Sequence, residues 1–217
     1  MEIDEIVKLV KDAVEKELNQ KEYKNMKRIP IEASGRHIHL SEEDAEVLFG
    51  ERYQFNKVKD LSQPGQYACK ERVRLVGPKG VIEGVIVLGP FRGSTQIELS
   101  LTDARTLGVT PILRESGNTK NTPGILITNG DRYLKLKEGV IVAKNHIHMT
   151  EEDSRRLNLK DKDKVKVKIC GSLRPMIFED VVVRVNNRFS LNMHIDYDEA
   201  NACGYSKGTV AKIIKKA

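Results

Sequence analysis

The residues best equipped for chemistry in this chain are its five histidines, and four of them sit in two copies of one short phrase. The first reads Arg36-His37-Ile38-His39-Leu40-Ser41-Glu42-Glu43-Asp44. The second reads Asn145-His146-Ile147-His148-Met149-Thr150-Glu151-Glu152-Asp153, its first histidine 109 positions further along, which is half of the 217 residues. In an extended segment residues i and i+2 share a face, so each histidine pair projects side by side. Ser41 and Thr150 then stand as helix N-caps with an acid three residues later, so each pair is held at a strand-to-helix corner. The fifth histidine ends a β-like run, Met193-His194-Ile195-Asp196, where Asp196 and Glu199 form a similar cap. One His-x-His is usually incidental, but two copies with shared caps and a third related histidine are read as metal ligands. Imidazole suits zinc, copper, nickel or iron. Four such nitrogens call for a carboxylate or a further imidazole to complete one or two sites, and zinc is the expected metal.

A second constellation runs Gly89-Pro90-Phe91-Arg92-Gly93-Ser94-Thr95-Gln96-Ile97-Glu98. Arg92, in a turn bounded by Gly and Pro, offers a planar fork that grips phosphate through two hydrogen bonds. The adjacent glycine lets a ligand approach the backbone. Glu98 is the candidate for the missing carboxylate.

Around these residues the sequence is β in texture. Strands are predicted over 29–34, 71–76, 81–88, 95–100, 124–128, 132–136, 140–143, 164–170, 177–185, 188–194 and 209–214. Asn129-Gly130 is a strong hairpin signal, and Asn186-Asn187 a second turn. Short helices are predicted at 42–49, from Thr102-Asp103 to Gly108, at 151–157 and at 197–202. Many short strands closely spaced, with short helices as caps, point to small β-barrels. The loop from Ser116 to Gly124 lacks the spacing of a nucleotide-binding P-loop.

Composition narrows the function classes. The net charge of +6 suits an anionic partner or a solvated lysine-rich surface. No helix-turn-helix, zinc-knuckle or aromatic-basic signature supports nucleic acid, and no apolar run approaches a membrane span. Cys69, Cys170 and Cys203 are odd in number and lack C-x-x-C spacing, as expected of reduced thiols in a cytosol-like compartment. The opening residues mix charged and apolar side chains, so no secretory signal is expected. Ile3, Ile6, Val7, Val10, Val14 and Leu18 recur at helical steps, predicting an amphipathic helix over 1–18. The polar stretch 19–28 makes it a detachable docking helix rather than part of the core.

Taken together, Arg36-His37-Ile38-His39-Leu40, Ala68-Cys69-Lys70-Glu71, Gly89-Pro90-Phe91-Arg92, Thr95-Gln96-Ile97-Glu98, Asn145-His146-Ile147-His148-Met149 and the late His194 resemble the PduL family. These are the phosphate propanoyltransferases of bacterial microcompartments, and the resemblance spans about residues 30–215. It implies a reversible exchange in which acyl-CoA plus phosphate gives acyl phosphate plus coenzyme A, with propanoyl-CoA the expected substrate. It also implies two zinc ions, one held by His37 and His39 with positions open to substrate, the other by Glu98, His146, His148 and His194, with Arg92 binding phosphate. The implied fold is two small β-barrels, the first discontinuous (29–60 with 144–217) and the second formed by 61–143. Residues 1–28 are then an encapsulation helix and linker that meet shell or cargo proteins, in a bacterial cytoplasm inside a microcompartment. A homodimer or larger homo-oligomer is expected, with no nucleic-acid or membrane partner. Asn145 departs from the arginine usual before the second histidine pair. Two rivals remain at this stage, a zinc-dependent hydrolase using metal-bound hydroxide and a zinc-stabilised interaction module.

Overall fold

The computed structural model describes Lys11 and residues 28–216. Apart from Lys11, the helix expected over 1–18 lies outside the described residues, with nearly all of its linker. In chain order the elements are β1 (Arg28–Ser34), β2 (His37–His39), α1 (Glu42–Phe49), β3 (Lys57–Asp60), β4 (Tyr67–Val76), β5 (Val81–Gly89), β6 (Gln96–Leu99), α2 (Leu101–Leu107), β7 (Leu113–Arg114), β8 (Ile125–Asn129), β9 (Arg132–Leu136), β10 (Val140–Ala143), β11 (His146–Met149), α3 (Glu151–Leu157), β12 (Lys164–Cys170), β13 (Ile177–Val185), β14 (Asn192–Asp196), α4 (Tyr197–Cys203) and β15 (Val210–Lys216).

These strands form two sheets. One is a closed six-stranded barrel in the order β1-β14-β11-β13-β12-β15, sealed where β1 pairs antiparallel with β15 through Arg28, Ile29 and Pro30. The other is a curled half-barrel in the order β7-β10-β6-β2-β5-β4-β8-β9, with β3 added on β4. The mainly-β expectation with short capping helices is met, one sheet being a closed barrel and the other a half-barrel whose end strands β7 and β9 are not paired with each other. Alternation explains both cores. In β12, Val165, Val167 and Ile169 point inward between lysines. In β4, Glu71, Val73 and Leu75 are buried while Lys70, Arg72 and Arg74 are exposed, the period of a strand with one wet face.

The chain crosses between the sheets twice. β1 belongs to the barrel, β2 through β10 to the half-barrel, and β11 through β15 to the barrel again. The strand pairings therefore put the change of sheet between Ser34 and His37, not at residue 60. The first histidine strand, expected to side with the C-terminal third, lies between β5 and β6 instead, with His37 opposite both Ile86 and Glu98. α1 follows it, burying Ala45 and Leu48 in the half-barrel core. Two further details differ from the sequence reading. α2 is capped by Ser100, whose side chain accepts from the Asp103 N–H in a reciprocal box with the Asp103 carboxylate, so it starts at Leu101 rather than at Thr102. Residues 188–191 are loop rather than strand, because Gln63 takes the place of a ladder partner: its Nε2 donates to the Ser190 carbonyl at 3.0 Å and its Oε1 accepts from the Ser190 N–H at 3.2 Å.

Candidate metal centre

Each histidine phrase is aimed by the isoleucine inside it. Ile38, fully buried, anchors in the half-barrel core, and Ile147, equally buried, anchors in the core of the closed barrel. Strand alternation then sends the flanking imidazoles out of the opposite face. These outward faces meet, since His37, His39, His146, His148 and His194 all line one cavity of about 540 Å³ between the two sheets. All four paired histidines are nonetheless at most 7% exposed.

The antiparallel neighbours complete each pair. His37 sits opposite Glu98 and His39 opposite Gln96. In the barrel His146 sits opposite His194 and His148 opposite Asn192. Two groups result, each with ligand atoms mutually within 4.8 Å: His37, His39 and Glu98, and His146, His148 and His194. Glu98 was expected with the second group. By distance it joins the first, with Oε2 3.6 Å from His37 Nε2, because pairing of β6 with β2 puts it across from His37. It also borders a small recess with His146 and His194.

Hydrogen bonds fix how the rings present their nitrogens. The Nδ1 of His37 lies 2.8 Å from the Gly35 carbonyl, and that of His146 lies 2.8 Å from the Lys144 carbonyl. A carbonyl only accepts, so each Nδ1 carries the proton and each Nε2 offers its lone pair. The second ring of each pair differs: Nδ1 of His39 and Nδ1 of His148 are buried without any hydrogen-bond partner. Buried polar atoms rarely stay unsatisfied, so these orphaned nitrogens fit a metal ion. The donor sets fit zinc, which accepts His nitrogens and carboxylate oxygen with a position left for a further ligand.

Electrostatics separates the two groups. Burial, then the neighbouring His194, lowers His146 to about 4. Burial, then His146 and His194, pushes His148 lower still. His194 is lowered by burial against the pull of Glu32 and Glu98. The second group is thus a set of neutral imidazoles. In the first, burial lowers His39 well below its ordinary value, helped by the charges of His37 and Arg92. Burial disfavours charge on His37 too, but the Glu98 carboxylate outweighs it and leaves His37 raised. Burial likewise works against ionised Glu98, yet His37 and then His39 hold it well below the carboxylate range.

Arg92 reaches the same cavity. Its backbone N–H donates to the Leu40 carbonyl at 2.9 Å and its Nη1 to Ser116 Oγ at 3.3 Å. Gln96 braces this corner, donating from Nε2 to Glu98 Oε1 at 2.6 Å and to Ser116 Oγ at 2.9 Å. Every predicted site residue therefore meets in one place. Several others there escaped sequence reading. Glu32 on β1 pairs in register with His194, with Oε2 3.5 Å from His194 Nε2, and Ser62 bonds to Glu32 beside the same ring. Arg36 forks onto Asp103 with two contacts of 3.0 Å. Arg184 lines the cavity from β13. Only the place of Arg36 in the first phrase hinted at any of these.

The family model described as "PTAC: Phosphate propanoyltransferase" matches residues 30–206. Among proteins named phosphate propanoyltransferase, that of Sebaldella termitidis is 60% identical over 86% of this chain and 88% of its own. The one from Clostridioides difficile is 58% identical over 87% and 90%, and the one from Salmonella typhimurium is 50% identical over 81% and 83%. With most of the chain matched and every resembling motif converging on one cavity, the chain belongs to the phosphate propanoyltransferase family.

Proposed function

We propose that this acyltransferase converts propanoyl-CoA and phosphate reversibly into propanoyl phosphate and coenzyme A, at a site that holds two zinc ions. The observation that carries the reading is the meeting of two candidate three-ligand groups and Arg92 on one cavity, in a chain of this family. His37 Nε2 and His39 would hold one ion with Glu98 beside them, and His146 Nε2, His148 and His194 the other. Bound zinc would supply Lewis acidity toward the thioester oxygen and affinity for a departing thiolate.

The chain's own residues supply the rest. Arg92 binds phosphate and offsets its charge, braced by Ser116, so that an oxygen is presented to the acyl carbon. That oxygen forms the new C–O bond, the C–S bond breaks, and the electron pair leaves with the coenzyme A sulfur. No acyl-enzyme is required. None of the three cysteines lines the cavity, and burial pushes Cys69 up to about 11, away from the thiolate a covalent route would need.

The deciding test is coenzyme A release from propanoyl-CoA as phosphate is titrated. Release that rises from near zero and saturates with phosphate, with acyl phosphate trapped by hydroxylamine, is the expected result. Release indifferent to phosphate would identify a hydrolase instead. We further propose that residues 1–18 dock the enzyme, as a homo-oligomer, on shell or cargo proteins inside a bacterial microcompartment, on the strength of their apolar stripe. Among the described residues no helix is long and apolar enough to cross a membrane. Removal of 1–27 is expected to leave turnover unchanged and to abolish co-purification with compartments.

A further inference from the structure

Arg184 occupies a place that its local sequence does not explain. It lies at the end of the apolar run Val181-Val182-Val183 on β13, where Val181 and Val183 point into the barrel core and alternation turns Arg184 outward. Pairing of β11 with β13 puts it opposite His148, and its side chain lines the central cavity. Its guanidinium carbon stands 5.8 Å from the centre of the Phe189 ring, and that ring packs on His148 with centroids 4.3 Å apart. An arginine whose charge lies over an aromatic face leaves its N–H groups available to another partner. Among the described residues no carboxylate pairs with it. Arg36, another cavity cation, contrasts in having its fork taken up by Asp103.

Two guanidiniums therefore reach one cavity from opposite sheets, Arg92 from the half-barrel and Arg184 from the barrel, and after burial the charge of Arg184 is among the influences that disfavour the charge on Arg92. Glu98 offsets part of the charge of Arg92, but Arg184 has no carboxylate of its own among the described residues, and a phosphoryl dianion satisfies both planar forks. We infer that Arg184 is the second arm of the phosphate clamp, gripping the reacting phosphoryl group from the barrel side while Arg92 grips it from the half-barrel side. This rests on the proposed phosphate acyltransfer. The diphosphate of coenzyme A is the other phosphoryl source, but it lies a whole pantetheine arm away from the thioester, whereas Arg184 adjoins His148 at the histidine centre.

The test is a separation of Michaelis constants in the full-length, metal-loaded enzyme, with Arg184→Gln and Arg184→Lys beside the wild type. Loss of a charge-assisted fork is worth about tenfold to a hundredfold. Arg184→Gln is expected to raise KM for phosphate by about that much while KM for propanoyl-CoA stays within about twofold. Arg184→Lys, which keeps the charge and loses the fork, should recover part of the loss and is the deciding variant should the glutamine form not fold. In the reverse direction KM for propanoyl phosphate should rise in parallel. A rise confined to KM for propanoyl-CoA would assign Arg184 to the coenzyme A diphosphate and overturn the inference. So would unchanged constants, or an equal rise in both. If the wild type itself releases coenzyme A without phosphate, it is the proposed reaction that fails, a result distinguishable from failure of Arg184 alone.

Discussion

The two histidine corners are built alike and charged differently. Each starts from a carbonyl two residues upstream that takes the first ring's Nδ1–H, Gly35 for His37 and Lys144 for His146. In each, the histidine strand has one parallel and one antiparallel neighbour, β5 and β6 for β2, β13 and β14 for β11. Each antiparallel neighbour carries the third candidate ligand opposite the first histidine and then runs into a capped helix, α2 or α4. The divergence lies in what occupies the matching positions. Glu98 faces His37 where His194 faces His146. Arg36 forks onto Asp103, where Asn145 Nδ2 donates to Glu199 Oε1 at 2.6 Å. Even the caps differ, since the Ser41 N–H donates to Thr95 Oγ1, whose hydroxyl bonds to Asp44, while Thr150 forms a closed box with Asp153. One scaffold thus gives a corner in which a carboxylate raises its histidine against burial and a corner of imidazoles that burial and one another push down. The first suits a site that exchanges ligands and charge during turnover; the second suits a permanently occupied one.

Deleting one ring from each corner is the strongest way to break the comparison. His39→Ala and His148→Ala are each expected to cost at least about a thousandfold in turnover. Elemental analysis should find a different ion missing in each, so loss of both ions from either variant would mean the corners are not independent. Arg92→Ala comes next, with kcat/KM expected to fall by about a hundredfold or more, in assays at saturating metal. The third experiment sharpens the charge difference. Because the Glu98 carboxylate raises His37 against its burial, a metal ion must displace a proton there below that raised value, whereas the second corner is already deprotonated near neutrality. Zinc affinity measured by chelator competition should fall on acidification from pH 8 to pH 6 at the first corner, by about tenfold per unit at most. Glu98→Gln should flatten that dependence.

The smallest effect concerns the second corner's clamp. Burial raises Glu199 to about 7. An acid with a raised folded-state pKa binds its proton more tightly when folded, so its contribution to stability is greatest at acid pH. That contribution is lost as pH rises between the ordinary glutamate value and about 7. Relative to Glu199→Gln, the wild type should lose on the order of 1 kcal/mol between pH 5 and pH 8, read from denaturant midpoints. Asn145→Arg, copying the Arg36–Asp103 fork, should remove most of that slope, and an unchanged slope would sink the parallel between the clamps.

The site residues were legible because their signals are local. His-x-His, its cap three residues on and the Asn129-Gly130 hairpin signal each declare themselves within a few positions, although the two-residue loop falls on Gly130-Asp131, between the paired Asn129 and Arg132, with Gly130 at a φ of 62°. What the sequence could not display is who stands next to whom across the sheets. Arg184 reads as a stray cation at the end of a valine run, and Glu32 as an ordinary strand acid, until pairing puts them beside His148 and His194. Glu98 was legible as a candidate ligand but not as a neighbour of His37, because its partner is chosen by strand order. The same ignorance of pairing shifted the expected crossing from residues 35–36 to residue 60. Gln63 concealed itself for a related reason, since a side chain standing in for a strand partner leaves no periodic trace.

The double crossing has a consequence for how the molecule comes into being. β1, among the first strands made by the ribosome, must wait for β14 and for β15, which is among the last, before its hydrogen bonds can be met. Until then the mouth of the barrel is open and Glu32 has no His194 to meet. Long-range pairing of this kind slows folding and leaves edges exposed in the interim. It also makes competence all-or-nothing with respect to synthesis: a chain released before its final strand would own the first corner in full, yet have no closed vessel in which to hold the second.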